Sequence, residues 1–405
     1  MKLNIILFKQ HIGKQFKNNW ISQGKKKILN TKAEDLLMKN GIHVYKPQEI
    51  YYENKFEKVE IVGFKPKAVE FDKTHPNWHD EVLLTYKDND VLLEGLNQAQ
   101  VLTNSVTIQE GIPKKYSLQS ISKELRKHCK NIILGAHVYD AEQQKLPKRK
   151  DPERPAWNFP RDYKITHGRI NQLMTSKLLH LLETNENYDI VKKRYILNDL
   201  LFSFPFERDG SLIQFQLTGD SVVVSDKPLN PIIEKSMSEW KVPDLHPLKC
   251  TVTLNEENIY EIENIYPIRK DVLACHPHTI FIHHDRTQVK NIFEEEVTET
   301  QIHGISLMKT FTIAASYAKQ RFGENISDLP TPVTIQCVNT DGRLFHFGIL
   351  QLNTLNLENC DNHNVWFQTE RLPLFNICQY ESGRAVLEGY NDEVLKHLVS
   401  FYRNN

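Results

Sequence analysis

Apolar residues recur every three to four positions in five segments, which is the spacing of a helix with one buried face. These segments are Leu92–Asn104, Ser117–Ala136, His167–Glu183, Thr300–Phe322 and a last helix that follows Asn391. Gly323 is suited to end the fourth helix, and the Asn391 side chain is suited to cap the last one. A short helix is also predicted after Thr31, because Thr31 and Glu34 have capping-box spacing.

The segment Thr331–Asn353 predicts a β-hairpin. Asp341-Gly342 is a strong turn signal, because glycine takes positive φ without steric cost. A two-residue turn at this point would pair Val338 with Phe345. One face would carry Thr334, Gln336, Val338, Phe345, Phe347 and Ile349, and the other Val333, Ile335, Cys337, Leu344, His346, Gly348 and Leu350. Neither face is cleanly polar, so we expect this hairpin at the centre of the fold, covered on both sides.

Other strands are predicted around this hairpin. Leu212–Leu217 and Ser221–Val224 predict a second hairpin around Thr218-Gly219-Asp220, and Thr251–Leu254 and Thr279–Ile282 predict short strands. Strands and helices are mixed without strict alternation, which favours the α+β class. The predicted architecture is an antiparallel sheet around the central hairpin, with packed helices and an extended N-terminal arm.

Charge is distributed unevenly along the chain. The 405 residues carry 51 basic and 51 acidic side chains, but residues 1–33 hold eight lysines and no acid. The remainder therefore has 43 basic and 51 acidic groups, a balance of −8. A basic, acid-free, amphipathic start is typical of a mitochondrial transit peptide, although it lacks arginine; a disordered basic tail or a nucleic-acid-binding arm is the alternative. The predicted organisation is a transit peptide at 1–30, an extended arm at 31–75 and a body at 76–405.

Cysteine and histidine spacing gives little support for an enzyme or a metal site. The six cysteines lack C-x-x-C spacing, so reduced thiols are expected, and the chain has no phosphate-loop, dinucleotide, G-x-S-x-G or H-E-x-x-H motif. Histidines 276, 278, 283 and 284 fit no closed zinc pattern. Cys337 and His346 would face each other across the hairpin, where a buried core pair is favoured over a nucleophile. We expect no catalytic residue, no metal and no cofactor.

The segment from Lys145 to Arg161 is a proline-rich basic loop. Cations neutralise phosphates and aromatic rings stack on unpaired bases, so the loop is a candidate RNA-binding element; a solvated linker is the alternative. The tripeptide Lys192-Lys193-Arg194 is a weaker candidate of the same kind. The candidate RNA-binding residues are Lys148, Arg149, Lys150, Arg154, Trp157, Arg161, Lys192, Lys193 and Arg194.

A set of short motifs resembles the family of mitochondrial large-subunit ribosomal protein thirty-seven. The C-terminal block includes Asn339–Phe347 and Leu350–Thr354, and earlier blocks include Leu92–Gly95, Glu110–Pro113, Ser225–Leu229 and Pro277–Thr279. Each block alone is weakly specific, whereas their order along the chain is specific. The proline-rich loop has little counterpart in the family pattern.

The resemblance implies a structural, non-catalytic constituent of the mitochondrial large ribosomal subunit. It implies neighbouring ribosomal proteins as partners, including a homologous one, and peripheral contacts with the large rRNA, but no membrane and no small-molecule substrate. A balance of −8 after residue 33 agrees with a protein held mainly by other proteins. The alternatives are a mitochondrial matrix enzyme or RNA-processing factor, with Cys337 and His346 or the histidines at 275–285 as its site, and a cytosolic interaction module. An Asp341-Gly342 turn that lay bare in solvent or lined a deep cleft of convergent ionisable groups would contradict the structural interpretation.

Overall fold

A computed structural model describes most of the chain. The described residues are 16–21, 32–45, 71–108, 111–116, 120–146, 152–154, 163–233, 241–289, 291, 295–358, 362–381 and 383–404. The chain forms two compact units, Met1–Ala68 and Val69–Asn405. In the first unit, residues 16–21 are helical and helix α1 covers Ala33–Lys39 with no buried residue. The predicted extended arm lies largely outside the described residues.

The second unit contains the remaining helices and all the strands described below. The helices are α2 (Leu96–Leu102), α3 (Lys123–His137), α4 (His167–Asn185), α5 (Tyr188–Val191), α6 (Glu299–Phe322) and α7 (Asp392–Arg403). A 3-10 turn covers Lys114–Tyr116. Among the described residues, no helix combines the length and the apolar character needed to cross a bilayer.

The strands form one large sheet and two small ones. They are β1 (Trp78–Lys87), β2 (Ser105–Ile108), β3 (Gln144–Lys145), β4 (Tyr163–Lys164), β5 (Arg194–Arg208), β6 (Ser211–Ser225), β7 (Asn255–Ile259), β8 (His276–His283), β9 (Asp328–Thr340), β10 (Leu344–Thr354), β11 (Asn364–Gln368), β12 (Leu372–Pro373), β13 (Ile377–Glu381) and β14 (Arg384–Glu388). The large sheet has the order β2-β11-β10-β9-β8-β6-β1-β7, with β12 beside β10 and β5 beside β6. β3 pairs with β4, and β13 with β14.

The α+β class predicted from the sequence is confirmed, with β9 and β10 inside the large sheet. The sheet is mixed, because β1–β6, β2–β11 and β8–β9 are parallel pairs whereas the neighbours of β10 are antiparallel to it. Two hydrophobic clusters cover its two sides. One contains the apolar residues of α6 with Ile335 and Leu350, and the other contains those of α3, α4 and α7 with Val338 and Phe347.

The central hairpin has the predicted faces but not the predicted register. Val338 pairs with Phe347, two residues beyond the predicted partner Phe345, and Thr340 pairs with Phe345. A shift of two residues leaves every side chain on its face, because strand side chains alternate with a period of two. The connection is consequently residues 341–344 instead of Asp341-Gly342 alone.

The second predicted hairpin is wrong. Residues 211–225 form one continuous strand, β6, and Gly219 lies within it. The actual hairpin joins β5 to β6 through Asp209-Gly210, with Arg208 paired to Ser211. Both turn residues have positive φ, 50° and 70°, as a type I′ turn requires. The same dipeptide signal was therefore present in the sequence at this position.

Three helices match their predicted positions closely, and several other boundaries differ. α4, α6 and α7 start and end within two residues of prediction, and Asn391 Oδ1 accepts a hydrogen bond from the Glu393 N–H. α2 is shorter than Leu92–Asn104, since Gly95 at φ 54° precedes its first turn. The predicted capping box involves Thr31, which lies outside the described residues; helix α1 has Lys32 as its N-cap residue, without a side-chain cap. Thr251–Leu254 is turn and coil, with the strand starting at Asn255.

Candidate nucleic-acid interface

Strands β3 and β4 close the base of the proline-rich basic loop. Lys145 pairs with Tyr163 and Gln144 with Lys164, so the chain leaves and re-enters the body at one place. Five candidates, Lys148, Arg149, Lys150, Trp157 and Arg161, lie outside the described residues. Arg154 is described and exposed. The loop candidates therefore remain predictions, attached to a defined point on the body.

The three residues of the Lys192-Lys193-Arg194 tripeptide differ in how deeply they are buried. Arg194 is 5% exposed, lies 4.9 Å from the Tyr402 ring, and donates a hydrogen bond to the Asn404 carbonyl oxygen. Burial lowers the pKa of its guanidinium to about 10. Lys192 is exposed and pairs with Asp189 at 2.6 Å, and Lys193 is half-buried. Arg194 is thus a core residue that holds the C-terminus, and we remove it from the candidate RNA-binding set.

The β9–β10 turn forms an ion cluster around a buried carboxylate. The Asp341 side chain is 6% exposed; its Oδ2 accepts from Arg286 at 2.8 Å and Arg371 at 3.1 Å. Its Oδ1 accepts from the backbone N–H groups of Arg343 and Leu344 at 3.0 and 2.8 Å. Burial alone would raise the pKa of this carboxyl, but these N–H groups and the two guanidinium charges lower it below its usual value.

A surface pocket surrounds this turn. We call it the turn pocket; its charged lining residues are Lys164, Arg286, Asp341 and Arg343, with the imidazoles of His137 and His167. Its volume is about 440 Å³, and its lysine and both arginines are exposed. The elements that supply these residues are distant in sequence, which is why no local motif indicated the pocket.

Ionisable groups do converge at the turn, where they line an open surface pocket. The lining holds three cations and one carboxylate, and that carboxylate is already saturated with hydrogen bonds. Cys378 also lines the pocket, but burial raises the pKa of its thiol to about 11, which keeps it protonated. The chemistry of this set is therefore that of anion binding more than of nucleophilic attack.

Cys337 and His346 do not form the predicted cross-strand pair. Cys337 is paired with Gly348 and His346 with Asn339. Each contacts Ser306 of α6: the Cys337 thiol lies 3.9 Å from the Ser306 carbonyl oxygen, and His346 Nδ1 lies 3.1 Å from Ser306 Oγ. Burial raises the pKa of Cys337 to about 12 and lowers that of His346 well below its usual value. A neutral thiol and a neutral imidazole, both fully buried, agree with a packing role.

The histidines at 276–284 make separate contacts. His278 Nε2 lies 2.8 Å from the Asn404 carbonyl oxygen, and burial lowers its pKa to about 3. His283 Nε2 lies 2.8 Å from Thr175 Oγ1, whereas burial lowers the pKa of His284 to about 4. Among the described residues, no three His, Cys, Asp or Glu side chains converge in a way that could hold a metal ion.

A buried lysine in α6 was missed by the sequence analysis. Lys309 is 6% exposed, and its Nζ lies 2.7 Å from Asp88 and 3.0 Å from the Thr218 carbonyl oxygen. Asp88 also accepts from the Thr218 N–H at 3.0 Å. This cluster ties α6 to β6 and the segment after β1. In the sequence, Lys309 falls among the apolar positions of α6, and this irregularity was the only sign that could have indicated the cluster.

Comparison with known proteins identifies relatives. A family model described as "Mitochondrial 28S ribosomal protein S30 (PDCD9)" matches residues 270–405. The curated protein "Large ribosomal subunit protein mL37" of Bos taurus is 26% identical over 311 residues, which cover 74% of this chain and 68% of that protein. The protein of the same name from Gallus gallus is 25% identical over 313 residues, covering 73% and 65% respectively.

The two comparisons differ in the subunit that their names mention. The family model carries a 28S, small-subunit name, but it covers only the C-terminal third of this chain. The mL37 proteins, including one from Rattus norvegicus that is 25% identical over 295 residues, carry a large-subunit name and match about 70% of the chain. We give more weight to the longer alignments, although they span only about two thirds of the relatives' own length. The chain is therefore similar to the mitochondrial ribosomal proteins named mL37 over about 70% of its length.

Proposed function

We propose that this protein is a structural, non-catalytic component of the large subunit of the mitochondrial ribosome. The ordered match to mL37 proteins over about three quarters of the chain carries the proposal. The central sheet, covered by helices on both sides, supports it, because such a core holds surface elements rigidly. The buried state of the Cys337 thiol and the His346 imidazole leaves the strongest sequence candidate for a nucleophile in the interior.

The contacts within the subunit form the finer part of the proposal. Phosphate neutralisation drives RNA binding, and the chain after residue 33 carries a balance of −8. Neighbouring proteins, including a homologous one, would therefore supply most of its contacts, while the loop based on β3 and β4 reaches rRNA. In that position the protein supports mitochondrial translation by maintaining the subunit. Residues 1–30 would direct import and be removed.

Sedimentation of lysed mitochondria tests this function. The chain, detected with an antibody, is expected to sediment with the large subunit in magnesium concentrations that keep the subunits separate. Migration at the top of the gradient, near its own mass of 47.4 kDa, would contradict the proposal. Sedimentation with the small subunit would instead favour the name of the family model. N-terminal sequencing of the sedimented chain would show whether residues 1–30 persist, as the cytosolic-module alternative requires.

A further inference from the structure

The turn pocket is a local excess of positive charge on a body whose net charge is negative. Its lining includes three permanent cations, Lys164, Arg286 and Arg343, against the single carboxylate of Asp341. Two imidazoles, from His137 and His167, and the amides of Asn376 and Gln379 also belong to the polar lining. Such convergence of like charges is costly without an anion, so the arrangement points to an anionic ligand.

The carboxylate of Asp341 does not neutralise the whole set. Arg286 and Arg371 share its Oδ2, and backbone N–H groups occupy Oδ1. Within the described part of the chain, Lys164 and Arg343 have no carboxylate within ion-pair distance. Lys164 Nζ instead lies 3.3 Å from His167 Nε2, so the ammonium group has an imidazole as its neighbour. These two cations are the ones left for a ligand.

The Arg343 side chain is held in a fixed orientation. Its Nε–H donates to the Phe375 carbonyl oxygen at 3.3 Å. Its backbone is held at both sides, since its N–H donates to Asp341 and its carbonyl oxygen accepts from the Leu374 N–H at 2.9 Å. Among the described residues, its two terminal nitrogens make no hydrogen bond. A guanidinium with its terminal fork available matches the two oxygens of a phosphate group.

The size and the walls of the pocket indicate more than a free inorganic ion. A volume of about 440 Å³ is within the range of sites for small organic ligands. Ile170, Phe375 and Ile377 contribute to its walls beside the cations. A phosphate that carries a sugar and a base would use both the charged and the apolar parts.

The position of the pocket indicates which phosphate it would bind. Lys164 belongs to β4, whose pairing with β3 closes the proline-rich basic loop. The sequence of this loop, which continues directly into Lys164, is rich in cations and includes Trp157. A cationic surface with an aromatic side chain suits an unpaired polynucleotide strand better than it suits a phosphorylated peptide.

We propose that the turn pocket binds a backbone phosphate of single-stranded RNA through Lys164 and Arg343, with the apolar wall beside the adjoining nucleoside. This inference rests on the proposed ribosomal function for the source of the RNA. It adds a binding site on the folded body to the loop candidates that the sequence indicated.

Salt-dependent binding of a short, fluorescein-labelled single-stranded RNA to the purified full chain tests the site. The double variant Lys164→Gln/Arg343→Gln is compared with a control pair, Arg269→Gln/Lys270→Gln, which removes two exposed charges away from the pocket. Each phosphate contact contributes about −0.7 to the slope of log K against log salt. We expect the pocket variant to lose about one such contact and roughly tenfold in affinity at low salt, and the control pair to stay within about twofold.

Charge-conserving substitution sharpens the same measurement. Arg343→Lys should keep the salt slope while weakening binding, because a lysine is a point charge without the guanidinium fork. An unchanged slope and affinity in the double variant would overturn the proposal, as would an equal loss in the control pair. Stronger competition by a phosphoserine peptide than by unlabelled RNA would also overturn it. Co-sedimentation of the wild-type chain with the large subunit does not depend on this pocket, so the two failures are distinguishable.

Discussion

Two hairpins of this protein contain the dipeptide Asp-Gly in their connections, but the dipeptide has a different conformation in each. Asp209-Gly210 forms a two-residue turn in which both φ angles are positive, and a Cβ on Gly210 would meet no atom within 4 Å. Asp341-Gly342 belongs to the longer connection 341–344, in which only Gly342 has positive φ. A Cβ on Gly342 would lie 2.8 Å from Ile170 of α4.

The difference is one of surroundings. The Asp209 side chain is 79% exposed, whereas the Asp341 side chain is 6% exposed and bonded to two arginines. His137 lies with Nε2 3.2 Å from the Gly342 carbonyl oxygen and can donate to it. The first turn therefore follows local backbone preference, while the second is shaped by the helices and arginines around it.

Substitution of alanine for each of the two glycines should give the largest difference in stability between the hairpins, because it separates local backbone strain from contacts with other elements. Gly210→Ala should cost about 1 kcal/mol, because only the positive φ is unfavourable. Gly342→Ala should cost about 3 kcal/mol, since contacts with Ile170 and Asn171 are added to the same backbone strain. Chemical denaturation of both variants measures the two values. Equal losses would show that α4 does not constrain the central turn.

Asparagine at the two aspartates should have the next largest effect. Asp341→Asn leaves the buried Arg371 without its carboxylate while keeping the acceptor for the backbone N–H groups, so a loss of about 2 kcal/mol is expected. Asp209→Asn should be within about 0.5 kcal/mol of wild type, because asparagine is favoured in this turn type. A double-mutant cycle of Asp341→Asn with Arg371→Gln isolates the pair. A coupling energy near zero would contradict the importance assigned to it.

Acidic pH should reduce the loss of stability that Asp341→Asn causes. The folded pKa of Asp341 is lowered, so its stabilisation is fully present above the unfolded pKa of about 3.9 and is lost as pH falls through the folded value. The difference in unfolding free energy between wild type and Asp341→Asn should stay constant near neutral pH and shrink below about pH 4. Gly210→Ala retains Asp341, so its difference from wild type should not shrink in this way.

Gly210→Asn should have the smallest effect. Asparagine tolerates the left-handed conformation, and the space around Gly210 is open, so a cost under about 0.5 kcal/mol is expected. The same substitution at Gly342 should remain strongly destabilising, since the side chain still meets α4. Thermal unfolding of the matched pair is the measurement. A comparable tolerance at both positions would remove the distinction between the hairpins.

The hairpin faces could be predicted because they depend only on alternation along each strand. Val338 and Phe347 contribute to one cluster and Ile335 and Leu350 to the other, as the sequence pattern required. The long helices followed for a similar reason, since their apolar stripes and the residues at their ends are local features. β5 was missed because the Asp209-Gly210 signal was overlooked in favour of Gly219, which is extended within β6.

Register, burial of individual charges and the turn pocket depended on tertiary structure. The connection at 341–344 follows from contacts with Arg286, Arg371 and α4, none of which is adjacent to it in the sequence. The sequence predicted Arg194 to be part of a basic surface, but in the folded chain it is buried against Tyr402 and Asn404. Lys164 and Arg343 are separated by more than a hundred residues, so only the folded chain brings them to one pocket. Local periodicity therefore determined which residues share a face, whereas long-range packing decided which charges are buried and which remain at the surface.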